Sequence, residues 1–160
     1  MALSLADRLA VEDLLGRYLR ALEDPEIGTE DEFAEIFTED AVIDSPLAGT
    51  FTGADGVRAW ARQTHRAERR TVLRRHCVCN MLVEGDGITA TINAYFMLYT
   101  TPRAGEGRAT TFELVGDYDC VARKVGGKWR MQRRTVTFAH EGGEATSDME
   151  RPAGPSPSES

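Results

Sequence analysis

The order in which two hydrophobic periodicities follow one another most constrains how this chain can fold. Residues 5–64 hold three segments with the apolar spacing of amphipathic helices, and residues 71–138 hold four long segments rich in β-branched and aromatic residues. Glycine-rich turns at 85–87 and 126–127 separate strands as hairpins do. Helices followed by a run of antiparallel strands are typical of an α+β domain whose sheet packs one face on the helices.

Local signals place the boundaries of these segments. The first helix is expected to begin after Ser4, a typical capping residue, and to end before Pro25. A second short helix follows Thr29, a strand covers 40–45, a turn-rich link follows, and a third helix covers 54–64. We predict one domain over residues 1–140 and a flexible, acidic, proline- and serine-rich tail over residues 141–160, whose role the sequence leaves open.

Charge and composition exclude several classes of function. The 160 residues carry a formal net charge of −7, without the basic footprint that nucleic-acid binding requires. No apolar run reaches the roughly 20 residues of a membrane helix, and no signal peptide is evident, so we expect a cytoplasmic protein with neither membrane nor nucleic-acid partner. Cys77 and Cys79 form no metal-binding motif; they alternate on one strand face and are expected in the core.

His76 is the histidine whose position favours chemistry. Strand alternation places it on one face with Val78, Asn80 and Leu82, where a buried imidazole needs a polar partner. The alternative, a core histidine with satisfied hydrogen bonds, remains open from the residues alone. Carboxylates at 23 and 24 are candidate partners because an acid at the end of the first helix is unfavourable to the helix dipole and suggests a tertiary role.

Three further polar residues are candidates for the same site. Tyr18 lies on the apolar face of the first helix, and Asp44 lies in a short strand with two largely apolar faces, where it is expected to line a pocket. Arg134 is predicted to share one face of the last strand with four neighbours: Arg130, Gln132, Val136 and Phe138. A histidine oriented by a carboxylate, with a tyrosine and an arginine, is a workable acid–base set.

Five stretches of the chain, in order, resemble the SnoaL-like and scytalone-dehydratase-like branch of the nuclear-transport-factor-two-like superfamily. They are DRLAVEDLLGRYLRALED, FAEIFTEDAVIDSP, FTGADGVRAW, RRHCVCN and GGKWRMQRRTV, and together they cover about residues 5 to 138. The resemblance implies a cone-shaped α+β fold, in which a curved antiparallel sheet packs on about three N-terminal helices and encloses a deep pocket.

The resemblance also implies roles for individual residues. Several members of this branch are cofactor-free lyases with a carboxylate at the end of the first helix and a histidine on the first long strand. The histidine corresponds to His76, and the acid to Glu23, where the family commonly has aspartate; Asp24 is the alternative. The family's tyrosine corresponds to Tyr18, and its arginine on the last strand to Arg134, or to the preceding residue if the register differs by one.

The function implied is that of a cofactor-free dehydratase-type lyase or double-bond isomerase acting on a small, largely apolar and in some cases cyclic substrate. The catalytic set is His76, Glu23, Tyr18, Asp44 and Arg134; Asn80, Asp24 and Trp60 are expected to contact substrate, with no cofactor and no metal. Two alternatives stay open because one fold hosts many functions. One is a polyketide-type cyclase of secondary metabolism led by Asp44, and the other is a non-catalytic small-molecule-binding module.

A homo-oligomer, either a dimer or a trimer, is a further implication of the resemblance. One face of the strand over 89–99 carries Tyr95, Met97 and Tyr99, large side chains that suit a partner surface. The opposing interpretation is that this face packs on the protein's own helices.

Overall fold

The computed structural model describes residues 2–65, 71–104 and 109–139, which form three helices and a six-stranded sheet. Along the chain, two helices come first, then two strands, the third helix and the remaining four strands. The helices are α1 (Leu5–Glu23), α2 (Glu30–Ile36) and α3 (Gly53–Thr64). The strands are β1 (Phe37–Ser45), β2 (Gly49–Thr52), β3 (Val72–Gly85), β4 (Thr89–Pro102), β5 (Thr111–Val125) and β6 (Lys128–Phe138). The α+β class is therefore confirmed, while residues 140–160, including the predicted tail, lie outside the described residues.

The strands form one open sheet in the order β2-β1-β6-β5-β4-β3. Neighbours pair antiparallel, as expected, except β1 and β6, which run parallel and make the sheet mixed. The turn-rich link predicted after β1 contains a strand, β2, which forms a hairpin with β1. The inner face of the sheet packs on all three helices and forms one hydrophobic core.

The first helix has the cap that the sequence predicts. The Ser4 hydroxyl accepts a hydrogen bond from the Asp7 backbone N–H at 3.1 Å, which satisfies one of the free donors of the first turn. Its apolar face is buried against the sheet: Val11, Leu14, Leu15, Tyr18 and Leu22 are each less than a tenth exposed. This burial fixes the position of the C-terminal end of α1 next to β3.

A β-bulge in β3 changes which side chains reach the core. Asn80 has a positive φ of 50°, and the pairing of β3 with β4 shifts register between Cys79 and Leu82. Beyond the bulge Met81 packs on the core, whereas Asn80 and Leu82 are exposed. The prediction that His76, Asn80 and Leu82 share one inward face was therefore wrong after residue 78.

A second irregularity has the same effect in β6. The pairing of β5 with β6 shifts register opposite Gln132. Arg130 consequently donates to the Ala34 carbonyl at 2.8 Å, and Gln132 donates to Asp40 at 3.2 Å, both away from the core. Arg134 is buried, whereas Arg130 and Gln132 do not share its face, so the predicted common face was wrong for these two residues.

The outer face of the sheet is exposed in the described structure. Tyr95 is 56% exposed and Phe112 is 48% exposed, so this face does not pack on the protein's own helices. Cys77 and Cys79 share this face, as strand alternation predicts, but both are exposed rather than in the core. Oligomerisation through this face stays a prediction.

Candidate functional site

A cavity of about 270 Å³ lies between the helices and the inner face of the sheet. Its walls are largely apolar, with a histidine, a threonine and an arginine among them. The lining residues are Leu22, Leu47, Trp60, Thr64, Arg74, His76, Phe96, Leu98, Leu114 and Phe138. The volume lies just below the roughly 300–1,000 Å³ of pockets that hold drug-sized ligands, so it suits a small molecule with one or two rings.

Glu23 and His76 meet at one side of this cavity. Glu23 is the last residue of α1, and its Oε1 lies 3.1 Å from His76 Nδ1 and 2.5 Å from the His76 backbone nitrogen. The two side chains are 13% and 9% exposed. Since an ionised carboxylate only accepts, Nδ1 must carry the donated hydrogen, and in the neutral ring Nε2 then has a free lone pair. Among the described residues, no hydrogen-bond partner contacts Nε2.

The longer side chain of glutamate reaches the histidine, and the neighbouring aspartate has a different task. Asp24 accepts from the Glu26 backbone N–H at 2.9 Å, and its carbonyl accepts from Gly28, so it closes the turn after α1. Glu23 and Asp24 both line an outer groove of about 460 Å³, and neither is among the residues that line the cavity; of the two, only Glu23 contacts His76 in the described structure. The structure thus pairs Glu23 with His76 and does not place Asp24 where it could contact a ligand in the cavity.

Arg134 lies behind the opposite wall of the cavity. Its guanidinium is 4% exposed and stacks on three aromatic rings, at 5.5 Å from Tyr18, 5.3 Å from Trp60 and 5.4 Å from Tyr118. Its Nη1 donates to the backbone carbonyl of Asp44 at 3.0 Å. Of these groups only Trp60 lines the cavity itself.

Buried polar atoms without hydrogen-bond partners cluster at this end. The atoms are Tyr18 Oη, Trp60 Nε1, Thr64 Oγ1, Tyr118 Oη and Arg134 Nε. The Tyr118 and Tyr18 rings lie 5.4 Å and 5.5 Å from the guanidinium, but neither hydroxyl has a hydrogen-bond partner in the described structure. Since nearly all buried polar groups in proteins are paired, such a cluster is unusual and marks a place where polar ligand atoms can bind.

Burial sets the protonation of the titratable groups next to Arg134. Loss of water raises the pKa of the Tyr18 and Tyr118 hydroxyls and raises the pKa of the Cys120 thiol to about 12. All three therefore stay protonated and neutral at pH 7. The two hydroxyls can donate hydrogen bonds, but they cannot neutralise the guanidinium.

Two predicted site residues lie outside this cavity. The Asp44 carboxylate accepts from Thr50 at 2.8 Å and lies 3.4 Å from Arg133 Nη1, so it faces away from Arg134. Asn80 is exposed at the bulge of β3. The alternating pattern that placed both residues toward a pocket does not foresee the bulge or the ion pair.

The sequence did not single out Tyr118, Phe96 or Thr64. Phe96 lies between the two polar ends, with its ring centroid 5.8 Å from His76 and 4.6 Å from Tyr118. Strand alternation identifies Phe96 and Tyr118 as inward-facing, but no local signal tells which ring contacts a charged group on another strand. Thr64 is four residues after Trp60, and this helical spacing indicates that both side chains lie on the same face of α3.

A larger concavity of about 800 Å³ lies between α2, the start of β1 and the turn joining β5 to β6. Its charged side chains are mostly paired with one another, as Arg123 is with Asp40 at 2.8 Å and Arg130 with Glu35 at 3.0 Å. It contains none of the residues predicted to be functional. We therefore place the candidate site in the smaller cavity, because His76 lines it and contacts Glu23.

The described residues contain no group of three side chains that could hold a metal ion. Within the same ranges, no helix is long and apolar enough to cross a membrane.

The match to a family model covers nearly all of the domain. Residues 3–135 match the SnoaL-like domain. The chain belongs to this family. No curated protein sequence matches the chain. The SnoaL-like and scytalone-dehydratase-like fold is one that suggests a cofactor-free isomerase, dehydratase or cyclase type of domain.

Solved structures similar to this SnoaL-like domain agree on the fold. A protein of unknown function with a cystatin-like fold from Nostoc punctiforme has a TM-score of 0.68 and 22% identity over 86% of this chain and 95% of its own. A candidate scytalone dehydratase from Novosphingobium aromaticivorans has a TM-score of 0.67 and 19% identity over 85% and 86%. A candidate aromatic ring hydroxylase from the same organism has a TM-score of 0.66 and 25% identity over 86% and 92%.

Proposed function

We propose that this SnoaL-like domain is a cofactor-free lyase of the dehydratase type, or a double-bond isomerase, in which His76 is the general base. One observation carries the proposal: the Glu23 carboxylate holds His76 Nδ1 at 3.1 Å beside a largely apolar cavity. The carboxylate fixes the ring and stabilises the imidazolium that forms when Nε2 takes a proton. The likeness to a candidate scytalone dehydratase supports the same class of reaction.

The reaction begins with transfer of a proton from a carbon next to a carbonyl group to His76 Nε2. The C–H electron pair moves into an enolate, whose negative charge lies on the oxygen. In an isomerisation, the imidazolium returns the proton to another carbon of the conjugated system. In an elimination, the enolate expels a hydroxyl group from the β-carbon, and that group takes the proton and leaves as water. In both cases Nε2 ends unprotonated.

Tyr18 and Arg134 are proposed to stabilise the enolate oxygen. The guanidinium lies behind the cavity wall, 5.3 Å from the centre of the Trp60 ring, and Tyr18 stays protonated because burial raises its pKa. Positive charge and donors fixed in a dry environment stabilise developing negative charge more strongly than water does. The two polar ends of the cavity would thus act on opposite ends of one conjugated ligand, in which the negative charge is delocalised from the deprotonated carbon to an oxygen near Arg134.

The observations favour this proposal over its two alternatives. A cyclase led by Asp44 needs that carboxylate in the cavity, whereas it pairs with Thr50 and Arg133 outside. A binding module would be favoured if no carboxylate lay within hydrogen-bond distance of His76. Glu23 lies within that distance.

The proposal can be tested before the substrate is identified, through exchange of protons at carbon. The protein is incubated in D₂O with small cyclic ketones such as α-tetralone, and loss of the α-proton signal is followed by NMR. We expect the protein to accelerate exchange and His76→Asn to lower that rate by roughly 10²–10⁴, the usual contribution of a positioned general base.

His65→Asn is the matched control, because His65 contacts the Ala21 carbonyl and does not line the cavity. Circular dichroism confirms that each variant is folded. Wild-type protein that accelerates exchange of no ketone in the panel, or His76→Asn with full activity, would contradict the proposal.

A further inference from the structure

Behind the inner end of the cavity, next to Trp60, lies a positive charge that no acidic side chain among the described residues neutralises. Arg134 is 4% exposed, and the Asp44 carbonyl is the one hydrogen-bond acceptor that it contacts in the described structure. A guanidinium has five N–H donors, so most of its hydrogen-bonding capacity is unused. A buried charge is costly unless it is paired, which means that this arrangement favours an additional negative partner.

Each element packed against the guanidinium presents a neutral group. Helix α1 contributes Tyr18, α3 contributes Trp60, and β5 contributes Tyr118 and Cys120. Burial raises the pKa of the tyrosines and of the cysteine, so none of them carries negative charge at pH 7. Strand β1 contributes Asp44, whose carboxylate lies on the other side with Thr50 and Arg133.

The free edge of the guanidinium has the shape that a carboxylate recognises. Nη1 is occupied by the Asp44 carbonyl, while Nε is buried without a partner and no described residue accepts from Nη2. Nε–H and one N–H of Nη2 point in parallel along one edge, and this edge binds the two oxygens of a carboxylate side by side. The Tyr118 hydroxyl lies next to the same guanidinium and is a further unused donor.

We propose that this end of the cavity binds a carboxylate of the ligand through Arg134, and that Tyr118 is a specificity-determining residue that donates to the same carboxylate. The inference deepens the proposed function, since it names an acid as the substrate class for the same cavity. It rests on that function only for placing the substrate there, and carboxylate binding does not require the proton transfer at His76.

The sheet sets the size of a ligand that could contact both ends. His76 lies on β3 and Arg134 on β6, three strand spacings apart, which is at most roughly 14 Å across the sheet. The rings of Phe96 and Tyr118 bridge this distance along the inner face. A carboxylic acid built on one ring or two fused rings has the matching length. Its carboxylate must displace the edge of the Trp60 indole, which lies between the cavity and the guanidinium.

The overall charge of the chain disfavours binding of a carboxylate over a neutral ligand. The chain has a formal net charge of −7, so its long-range field disfavours anions. Selective binding of an acid over its neutral amide would therefore report a local positive site.

Isothermal titration calorimetry with 1-naphthoate and 1-naphthamide tests the proposal, because the two probes share a ring system and differ in charge. We expect the wild-type protein to bind the acid about tenfold or more tightly than the amide, as a charge-assisted hydrogen-bonded pair gives. Tyr118→Phe should reduce this ratio severalfold, and Arg134→Met should abolish it. Equal affinity for the two probes, tighter binding of the amide, or failure of the acid to bind would overturn the proposal.

Matched variants separate the proposed carboxylate site from general effects of substitution and from the proposed reaction at His76. Tyr95→Phe and Arg133→Met change an exposed tyrosine and a neighbouring arginine of β6 and should leave the ratio unchanged. If Arg134→Met does not fold, Tyr118→Phe decides, and an unchanged ratio in that folded variant contradicts the role of Tyr118. His76→Asn should keep the preference for the acid while losing proton exchange, so the carboxylate site and the proposed reaction can fail independently.

Discussion

The two polar ends of the cavity differ in how completely their groups are paired. At the His76 end, one carboxylate oxygen of Glu23 contacts both the imidazole and the backbone N–H of the same residue. At the Arg134 end, a charged group and two hydroxyls are buried more deeply, yet Arg134 Nε and both hydroxyls lack partners in the described structure. The first end has the pairing that the proposed proton transfer requires, and the second has the unpaired donors to which the proposed ligand carboxylate would bind.

This difference has an energetic consequence. Pairing stabilises the fold, so removing one member of the His76 pair should cost stability as well as activity. Unpaired buried atoms do not stabilise the fold, so removing them should cost function alone. The following predictions test that distinction.

Glu23→Gln should have the largest effect. The amide still accepts a hydrogen bond but no longer stabilises the imidazolium, a loss of about 1.5–3 kcal/mol for one hydrogen bond to a charged group. Exchange at carbon should slow by roughly 10- to 100-fold. Glu35→Gln, which alters a surface carboxylate paired with Arg130, is the control measured in the same NMR assay. Equal rates in the two variants would remove Glu23 from the mechanism.

Gly116→Ala should disturb the wall between the two ends. A Cβ at this position would lie 2.7 Å from Cε1 of Phe96 and would also meet the Thr137 carbonyl. Overpacking of this kind costs about 1–3 kcal/mol. Gly16→Ala is the control, since nothing lies within 4 Å of its Cβ in the middle of α1 and alanine favours a helix. In urea unfolding, the free energy of unfolding should therefore fall for Gly116→Ala and rise for Gly16→Ala. An unchanged free energy of unfolding for Gly116→Ala would mean that Phe96 moves easily.

Asp7 offers a fully paired carboxylate for comparison with both ends. It accepts from Lys124 at 2.6 Å, from Trp129 at 2.8 Å and from Ser4 at 2.9 Å, and these hydrogen bonds lower its pKa to about 2. Its contribution to stability is present above pH 4 and is lost as the pH falls toward 2. The difference in melting temperature between wild type and Asp7→Asn should shrink over that interval. A difference that is constant between pH 5 and pH 2 would contradict this assignment.

Tyr118→Phe should have the smallest effect on stability. The hydroxyl that it removes is buried without a partner, so the free energy of unfolding should stay within roughly 0.5 kcal/mol of wild type or rise. Tyr95→Phe, at an exposed position, provides the reference. A clear loss of stability in urea unfolding for Tyr118→Phe alone would show that the hydroxyl is paired in solution.

Much of the fold followed from local signals in the sequence. The Ser4 cap, the apolar face of α1 and the glycine turns of the hairpins are encoded within a few residues, and the structure confirms them. The contact between Glu23 and His76 came from family resemblance, because no local pattern brings a helix end to a strand. The structure identifies Glu23 rather than Asp24 as the residue in contact.

The wrong predictions of side-chain orientation in β3 and β6 have a common physical cause. A bulge adds one residue to a strand and exchanges its inner and outer faces, and this happens at Asn80 and near Gln132. Asn80 offers a weak clue, since asparagine tolerates a positive φ, but Gln132 offers none. Tyr118 was missed because its importance arises from a charge on β6 that lies next to it only after the sheet has formed.

The parallel pairing of β1 with β6 determines when the protein can be completed during synthesis. Strand β1 is synthesised early, but it pairs with β6, the last strand of the described sheet. The side chains of Ala41 and Ile43 on β1 can therefore be fully buried only after β6 has been synthesised. Contacts between such distant parts of a chain form slowly, because a long loop must close first. The residue that completes the proposed carboxylate site, Arg134, belongs to that same strand. A nascent chain that stops before β6 therefore contains His76 and Glu23 but lacks the arginine that we propose binds an acid.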